Sequence, residues 1–310
     1  MKQVWLILIL TGFGFRLTAA ETNEVDWGAV MDTAQQWAQD NLDDEVLQAL
    51  PQIDRKTAED FLRQSESYLR SNDVLDLSQL KPAAQVVLPL LDAHEETRDY
   101  AAWLRSRMDY FDTADDLEKA QPPPKVQPGK PIPPRPNPSF KATKEIWVQK
   151  VAPRPWPKNA TAMVPQLKPI FAAEHVPTEL VWMAEVESGF DPRARSPVGA
   201  TGMFQLMPET ARNEGLSLWP FDERKQIEPA AHAAAQYLHH LYEKFGNWRL
   251  AVAAYNCGEG TVRRQLQRRK ATRYEQIATY LPAETQLYVP KVEATVQHRE
   301  GVSLEQLTVP

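Results

Sequence analysis

Apolar residues recur with a helical period along most of this chain. In "VDWGAVMDTAQQWAQDNL" they fall at Trp27, Val30, Met31 and Trp37, and in "TRDYAAWLRSRMDYFDTA" at Tyr100, Trp103, Leu104 and Met108. Steps of three and four residues place such side chains on one face of a helix. "PTELVWMAEVESGF" predicts another helix, with Pro177 in its first turn, where a missing N–H does no harm. Further helices are expected over "MPETARNEG", "EPAAHAAAQYLHHLYEKFG", "NWRLAVAAYNCGEG", "TVRRQLQRRK" and "PAETQLYVPKVEATVQH". Gly215, Gly246 and Gly258 stand where helix C-caps belong. No segment alternates as a strand does, so the expected fold is predominantly α.

Composition then divides the chain. Lys2 followed by the apolar run Val4 to Phe15 and the small residues of "LTAA" predicts a secretory leader over residues 1–20. The run is too short to span a bilayer. No cysteine precedes Cys257, so no lipid-attachment cysteine is expected, and the mature protein is expected to be exported and soluble, in the periplasm or cell envelope. Residues 21–120 carry 23 acidic against 9 basic side chains, a balance of −14, and predict a small helical region. Nine of the eighteen residues from Gln121 to Pro138 are proline, which predicts a stiff, extended linker over 121–140. Residues 141–300 return to helical texture and are long enough to bury a core unaided, with a C-terminal tail at 301–310. The net charge is −6 and Lys2 and Arg16 contribute +2, so residues 121–310 carry +6. Such a basic half suits an acidic ligand, although solvated helix faces account for it equally well.

Candidate chemistry centres on Glu187. Leu180, Met183 and Ala184 precede it by seven, four and three residues, so it continues an inward-facing apolar stripe. A carboxylate there loses solvation, which favours its protonated form near neutral pH. Glu185, about 200° round the helix, faces elsewhere. The following "SPVGATG" lets the chain turn back, with Gly199 and Gly202 able to take positive φ. That turn would bring the Ser196 hydroxyl beside the acid. "TGMFQLMPETA" adds the Gln205 amide and the apolar wall of Met203, Phe204 and Met207, groups that suit N-acetyl groups and sugar faces.

Other residues predict less. His239 and His240 are adjacent and HExxH spacing is absent, so no metal site and no cofactor are expected. "VRRQLQRRK" lacks aromatic residues and predicts a solvated basic face rather than a nucleic-acid site. The lone Cys257 has no internal disulfide partner.

"ESGFDP…SPVGATGMFQLMPETA" resembles the first motif pair of the soluble lytic transglycosylase catalytic domain, a relative of goose-type lysozyme. "LAVAAYNCGEGTV" is similar to that family's third motif. "PAETQLYVPKV" is similar to the fourth and points to the membrane-bound transglycosylase D branch. The likeness covers roughly residues 165–298, with four motifs in order.

The resemblance implies a lysozyme-like domain that cleaves the β-1,4 bond between N-acetylmuramic acid and N-acetylglucosamine in peptidoglycan, forming 1,6-anhydromuramic acid. It implies that Glu187 is the sole catalytic acid and base. Ser196, Gln205, Met207, Tyr255, Asn256 and Glu284 would line the substrate groove, and Tyr255 could stabilise the ionised acid through its hydroxyl. The small variable position of the third motif accounts for Cys257. A hydrolase would need a second carboxylate, for which Asp191 and Asp222 are the visible candidates. A non-catalytic wall-binding or scaffolding protein is the alternative from another class, motivated by the acidic region and linker. Residues 21–120 could contact cell-wall protein partners, and no tandem LysM repeat follows Gln297.

Overall fold

The computed structural model describes residues 55–93, 97–122 and 135–310. The expected leader, the helix over Trp27–Trp37 and most of the proline-rich linker lie outside the described residues. Among the described residues the chain is predominantly α, without a strand; only isolated bridges pair Thr201 with Arg195 and Leu206.

Three helices come from the acidic region: α1 (Arg55–Arg70), α2 (Lys81–Ala93) and α3 (Arg98–Ala120). After the linker come α4 (Phe140–Val151), α5 (Ala160–Ala173) and the short α6 (Met183–Ser188), which carries Glu187. They are followed by α7 (Pro208–Asn213), α8 (Ile227–Phe245), α9 (Trp248–Cys257), α10 (Glu259–Arg269) and α11 (Ala283–Glu300). Local chemistry sets several ends. Ser139 Oγ accepts the Ala142 N–H at 3.2 Å to start α4, and Asn247 Oδ1 accepts the Leu250 N–H at 3.1 Å to start α9. At the end of α6, Gly189 takes φ +67° and the Phe190 N–H reaches back to the Ala184 carbonyl at 3.1 Å.

Helix α11 is the axis of the fold. Every residue from Ala283 to Val296 except Glu284 is buried, and the helix packs on α1, α3, α4, α6 and α9. Its polar side chains are matched: Glu293, wholly buried, accepts from Lys144 at 2.6 Å and from Arg249 at 2.6 and 2.8 Å. A buried charge is tolerated only when paired in this way.

The acidic region docks on this framework through α3. Asp116 pairs with Lys150 at 2.7 Å, and Asp109 pairs with Arg154 at 2.9 Å and Lys291 at 3.1 Å. The opposite charges of the two halves thus meet as specific ion pairs. The proline-rich linker ends in contact as well, with Asn137 Oδ1 accepting the Val74 N–H at 3.0 Å.

The helix predicted from Pro177 is divided. Thr178–Trp182 winds as a 3-10 turn before α6 begins. Periodicity predicted one apolar stripe, whereas Leu180 to Ala184 are buried all round, and Trp182 donates Nε1–H to Glu300 Oε1 at 2.6 Å. Beyond α11, Leu304 and Leu307 are buried against the core.

Candidate active site

Glu187 lies in the last turn of α6 and is 3% exposed. It opens into a cleft of about 440 Å³ whose lining includes Ser196, Gln205, Met207, Tyr255, Asn256 and Glu284. The structure therefore brings all seven residues expected from the sequence to one cavity. A larger cavity of about 580 Å³ lies beside Ser188 and Asp191 and does not include Glu187.

The wall opposite the acid is a tight turn from Arg195 to Leu206. Ser196 Oγ accepts the Ala200 N–H at 2.9 Å, which leaves its own hydroxyl proton available to the cleft. Ser188 locks the turn to α6 by donating to the Met203 carbonyl at 2.9 Å and accepting from the Asp191 N–H at 3.0 Å. Arg224 clamps the turn from outside, donating Nη1–H to the Gly199 carbonyl at 2.8 Å and the Leu206 carbonyl at 3.0 Å.

Within this wall Gln205 differs from expectation. Its amide was expected to offer both donor and acceptor to a ligand, but Nε2 donates to the Ala194 and Gly202 carbonyls at 3.0 and 2.9 Å. Only Oε1, buried and without a protein partner, faces other use. Met207 is 39% exposed and supplies the apolar surface.

Tyr255 also differs. Its hydroxyl donates to the Phe204 carbonyl at 2.7 Å, so it braces the wall and does not touch the acid. The hydroxyl that reaches Glu187 belongs to Tyr288, which donates to Oε1 at 2.6 Å. Burial and the neighbouring Glu187 hold the Tyr288 phenol well above the usual tyrosine range, so it remains a donor. Asn256 Oδ1 accepts from Thr285 Oγ1 at 2.6 Å, joining α9 to α11. Burial pushes the Cys257 thiol up to about 12, which leaves it an inert filler of its position.

Burial pushes the Glu187 carboxyl from 4.5 up to about 7, and Glu284 adds to the rise. Arg107, the Tyr288 hydrogen bond and Lys291 oppose it. The acid is thus poised to be protonated in slightly acidic water and ionised in alkaline water.

The two carboxylates considered for hydrolysis are placed elsewhere. Asp222 pairs with the Arg224 guanidinium at 2.9 and 2.7 Å, as part of the clamp behind the turn. Asp191 accepts the Arg193 N–H at 2.8 Å and borders the other cavity. Neither lines the cleft that holds Glu187.

Two important residues were missed by the sequence reading. Tyr288 stands four residues after Glu284 in the fourth motif, so helical spacing could have placed both on one face. Arg107 interrupts the buried stripe of α3 between Trp103 and Tyr110; a cation in that position was the available signal. Removing the Tyr288 hydroxyl in Tyr288→Phe withdraws a donor from the carboxylate. The alkaline limb of the pH–rate profile is expected to move upward, and the rate at its optimum to fall roughly tenfold or more. Turbidity loss of purified cell-wall sacculi against pH measures both.

Residues 169–278 match the family model of the transglycosylase SLT domain. Membrane-bound lytic murein transglycosylase D of Escherichia coli K12 is 40% identical over 126 residues, covering 39% of this chain and 27% of that protein. The soluble lytic murein transglycosylase of Salmonella typhimurium is 40% identical over 87 residues, covering 26% of this chain and 14% of that protein. The chain therefore spans well under a third of the length of either relative. A 70 kDa soluble lytic transglycosylase structure from Escherichia coli aligns with 90% of this chain and 63% of its own at 17% identity and a TM-score of 0.40, a likeness too loose to bear on function. The acid, the turn facing it and the α9 side of the cleft all fall within the segment similar to the transglycosylase SLT domain, whereas Arg107, Glu284 and Tyr288 lie outside it.

Proposed function

We propose that this protein is a lytic transglycosylase that cleaves the β-1,4 bond between N-acetylmuramic acid and N-acetylglucosamine and leaves a 1,6-anhydromuramyl end. The observation that carries the reading is a single buried glutamate, Glu187, raised to about 7 and open to a cleft inside an SLT domain. The Escherichia coli and Salmonella typhimurium relatives described above are named lytic murein transglycosylases.

Protonated Glu187 donates to the glycosidic oxygen as the bond breaks and positive charge develops at C1. Because the Tyr288 hydroxyl occupies Oε1, the proton to be donated resides on Oε2. The carboxylate then formed takes the proton from the muramyl C6 hydroxyl, whose oxygen attacks C1 and closes the anhydro ring. Bond, proton and electron pair balance without water. The substrate's own hydroxyl is the nucleophile, so no second carboxylate has to position water or form a covalent intermediate. Ser196 and the free Oε1 of Gln205 suit the polar groups of a sugar, and Met207 suits its apolar face.

Placement of Asp191 and Asp222 outside the cleft argues against hydrolysis by either pair. Glu284 is within the cleft but is held by Arg107, which suits a charge-setting role. Lys2 and the apolar run after it support export to the cell envelope. Among the described residues no helix is long and apolar enough to cross a membrane. The reaction is tested by mass spectrometry of muropeptides released from purified sacculi. Products one water lighter than reducing-end muropeptides support the proposal; reducing ends alone would replace it with hydrolysis, and intact sacculi with a binding role.

A further inference from the structure

The cleft has a wall that no motif of the SLT segment contains. Glu66, Leu69 and Arg70 on α1 and Trp103 and Arg107 on α3 line it alongside Glu187. Arg107 is only 6% exposed, and its guanidinium rests near the faces of Trp103 and Tyr110, at 5.5 and 6.0 Å from the ring centres. Nη1 donates to Ser106 Oγ at 2.7 Å and to the main-chain carbonyl of Glu187 at 3.2 Å. Nη2 donates to Glu284 Oε1 at 2.8 Å.

Those contacts join three separate parts of the protein. The Glu187 carbonyl belongs to the last turn of α6, where carbonyls lack an intrahelical partner and a cation is favoured. Glu284 begins α11, the helix that also presents Tyr288 to the acid. A planar guanidinium can hold a carbonyl and a carboxylate at once in a defined geometry; an ammonium cannot. We propose that Arg107 is a positioning residue of the active site, through which helices α1 and α3 set the placement and charge environment of Glu187. The inference rests on the reading of Glu187 as the acid and extends the site beyond the SLT domain.

The charges around Glu187 come from three elements. Arg107 and Tyr110 face it from α3, Glu284, Tyr288 and Lys291 from α11, and Tyr255 from α9. Lys291 is held by Asp109 at 3.1 Å, and the tyrosines remain neutral, so the Arg107–Glu284 pair is the adjustable part of this field. Arg107 favours the ionised acid and Glu284 opposes it. Glu66, buried on α1, feels both members of the pair, which ties α1 to the same network.

The test follows sacculus clearing against pH in the full-length protein, beside the melting temperature of each variant. Arg107→Met keeps the apolar stem but removes the charge and both anchoring bonds. It is expected to move the alkaline limb upward by about one pH unit and to lower the optimal rate at least tenfold. Arg107→Lys should keep the limb near that of the wild type while recovering only part of the rate. Glu284→Gln should move the limb downward, and combining it with Arg107→Met should return the limb towards its original position. A merely structural arginine would lower the melting temperature and leave the limb in place, and that result overturns the proposal. Should Arg107→Met fail to fold, Glu284→Gln and Arg107→Lys decide: an unmoved or raised limb in Glu284→Gln, or full rate in Arg107→Lys, also overturns it. Hydrolytic products from the wild type would reject the transglycosylase reading but not this one, because either reaction needs protonated Glu187.

Discussion

Glu187→Gln is expected to abolish sacculus clearing, lowering the rate by at least about a thousandfold, while making the protein more stable in alkaline buffer. The first effect follows from the proposed double role. A carboxamide can neither donate a proton to the leaving oxygen nor take one from the C6 hydroxyl, so both halves of the reaction fail together. The fold has no reason to fail, because the amide is nearly isosteric and its oxygen can still accept from Tyr288. Binding to sacculi should persist, which separates loss of chemistry from a scaffolding role.

The stability effect has a definite sign. Burial raises Glu187 from 4.5 to about 7, so between those values the folded protein holds a proton that the unfolded chain has released. The stabilising contribution is complete below about pH 4.5 and is lost as pH rises through about 7. Above that point the native state must keep a carboxylate in a largely desolvated position, a penalty of roughly 3 kcal/mol. Glutamine removes the penalty. Variant and wild type should melt together at pH 4, and at pH 8 the variant should melt several degrees higher. Equal melting temperatures at pH 8 would mean that Glu187 is not the poised acid described above.

Gly202→Ala is expected to be the most damaging small substitution in the wall of the cleft. A Cβ at this position would stand 1.9 Å from the Arg224 carbonyl oxygen, and the residue already has φ +87°. The obstacle is backbone, so it cannot swing aside. Strain at positive φ together with this overlap should destabilise the protein by roughly 4 kcal/mol or more, a large share of the stability of an ordinary domain. Gly199→Ala provides the contrast: φ is +92° there, but the nearest atom is Pro208 Cγ at 4.0 Å, so only backbone strain is added. Urea unfolding of both variants checks the difference. Near-equal losses would show that Arg224 does not clamp the turn as its bonds to Gly199 and Leu206 indicate.

Glu187 was legible in the sequence because two kinds of information coincide there. The apolar stripe of Leu180, Met183 and Ala184 gives the inward direction, and the glycines after it give a turn that makes room. Their positive φ values at Gly199 and Gly202 bear out that part of the expectation. Arg107 was not legible because its meaning depends on a partner 80 residues away. Periodicity shows that a position faces inward without showing what it will meet. The same limit exchanged two tyrosines. Tyr288 is buried, Tyr255 is partly buried and both are near Glu187, but only the packing of α11 on α6 shows which hydroxyl reaches the acid. Asp222 was open to a catalytic role until Arg224, two residues later, proved to hold both its oxygens. That pair turns outward chemistry into a fastening for the turn.

The proposed reaction requires the sugar's own C6 hydroxyl as nucleophile. Digestion of purified sacculi in water enriched in the heavy oxygen isotope, followed by mass spectrometry of the new muramyl ends, tests that claim most directly. Anhydro ends without heavy oxygen are the predicted result. A heavy oxygen built into each new muramyl end would show that water attacks C1, and would contradict the account.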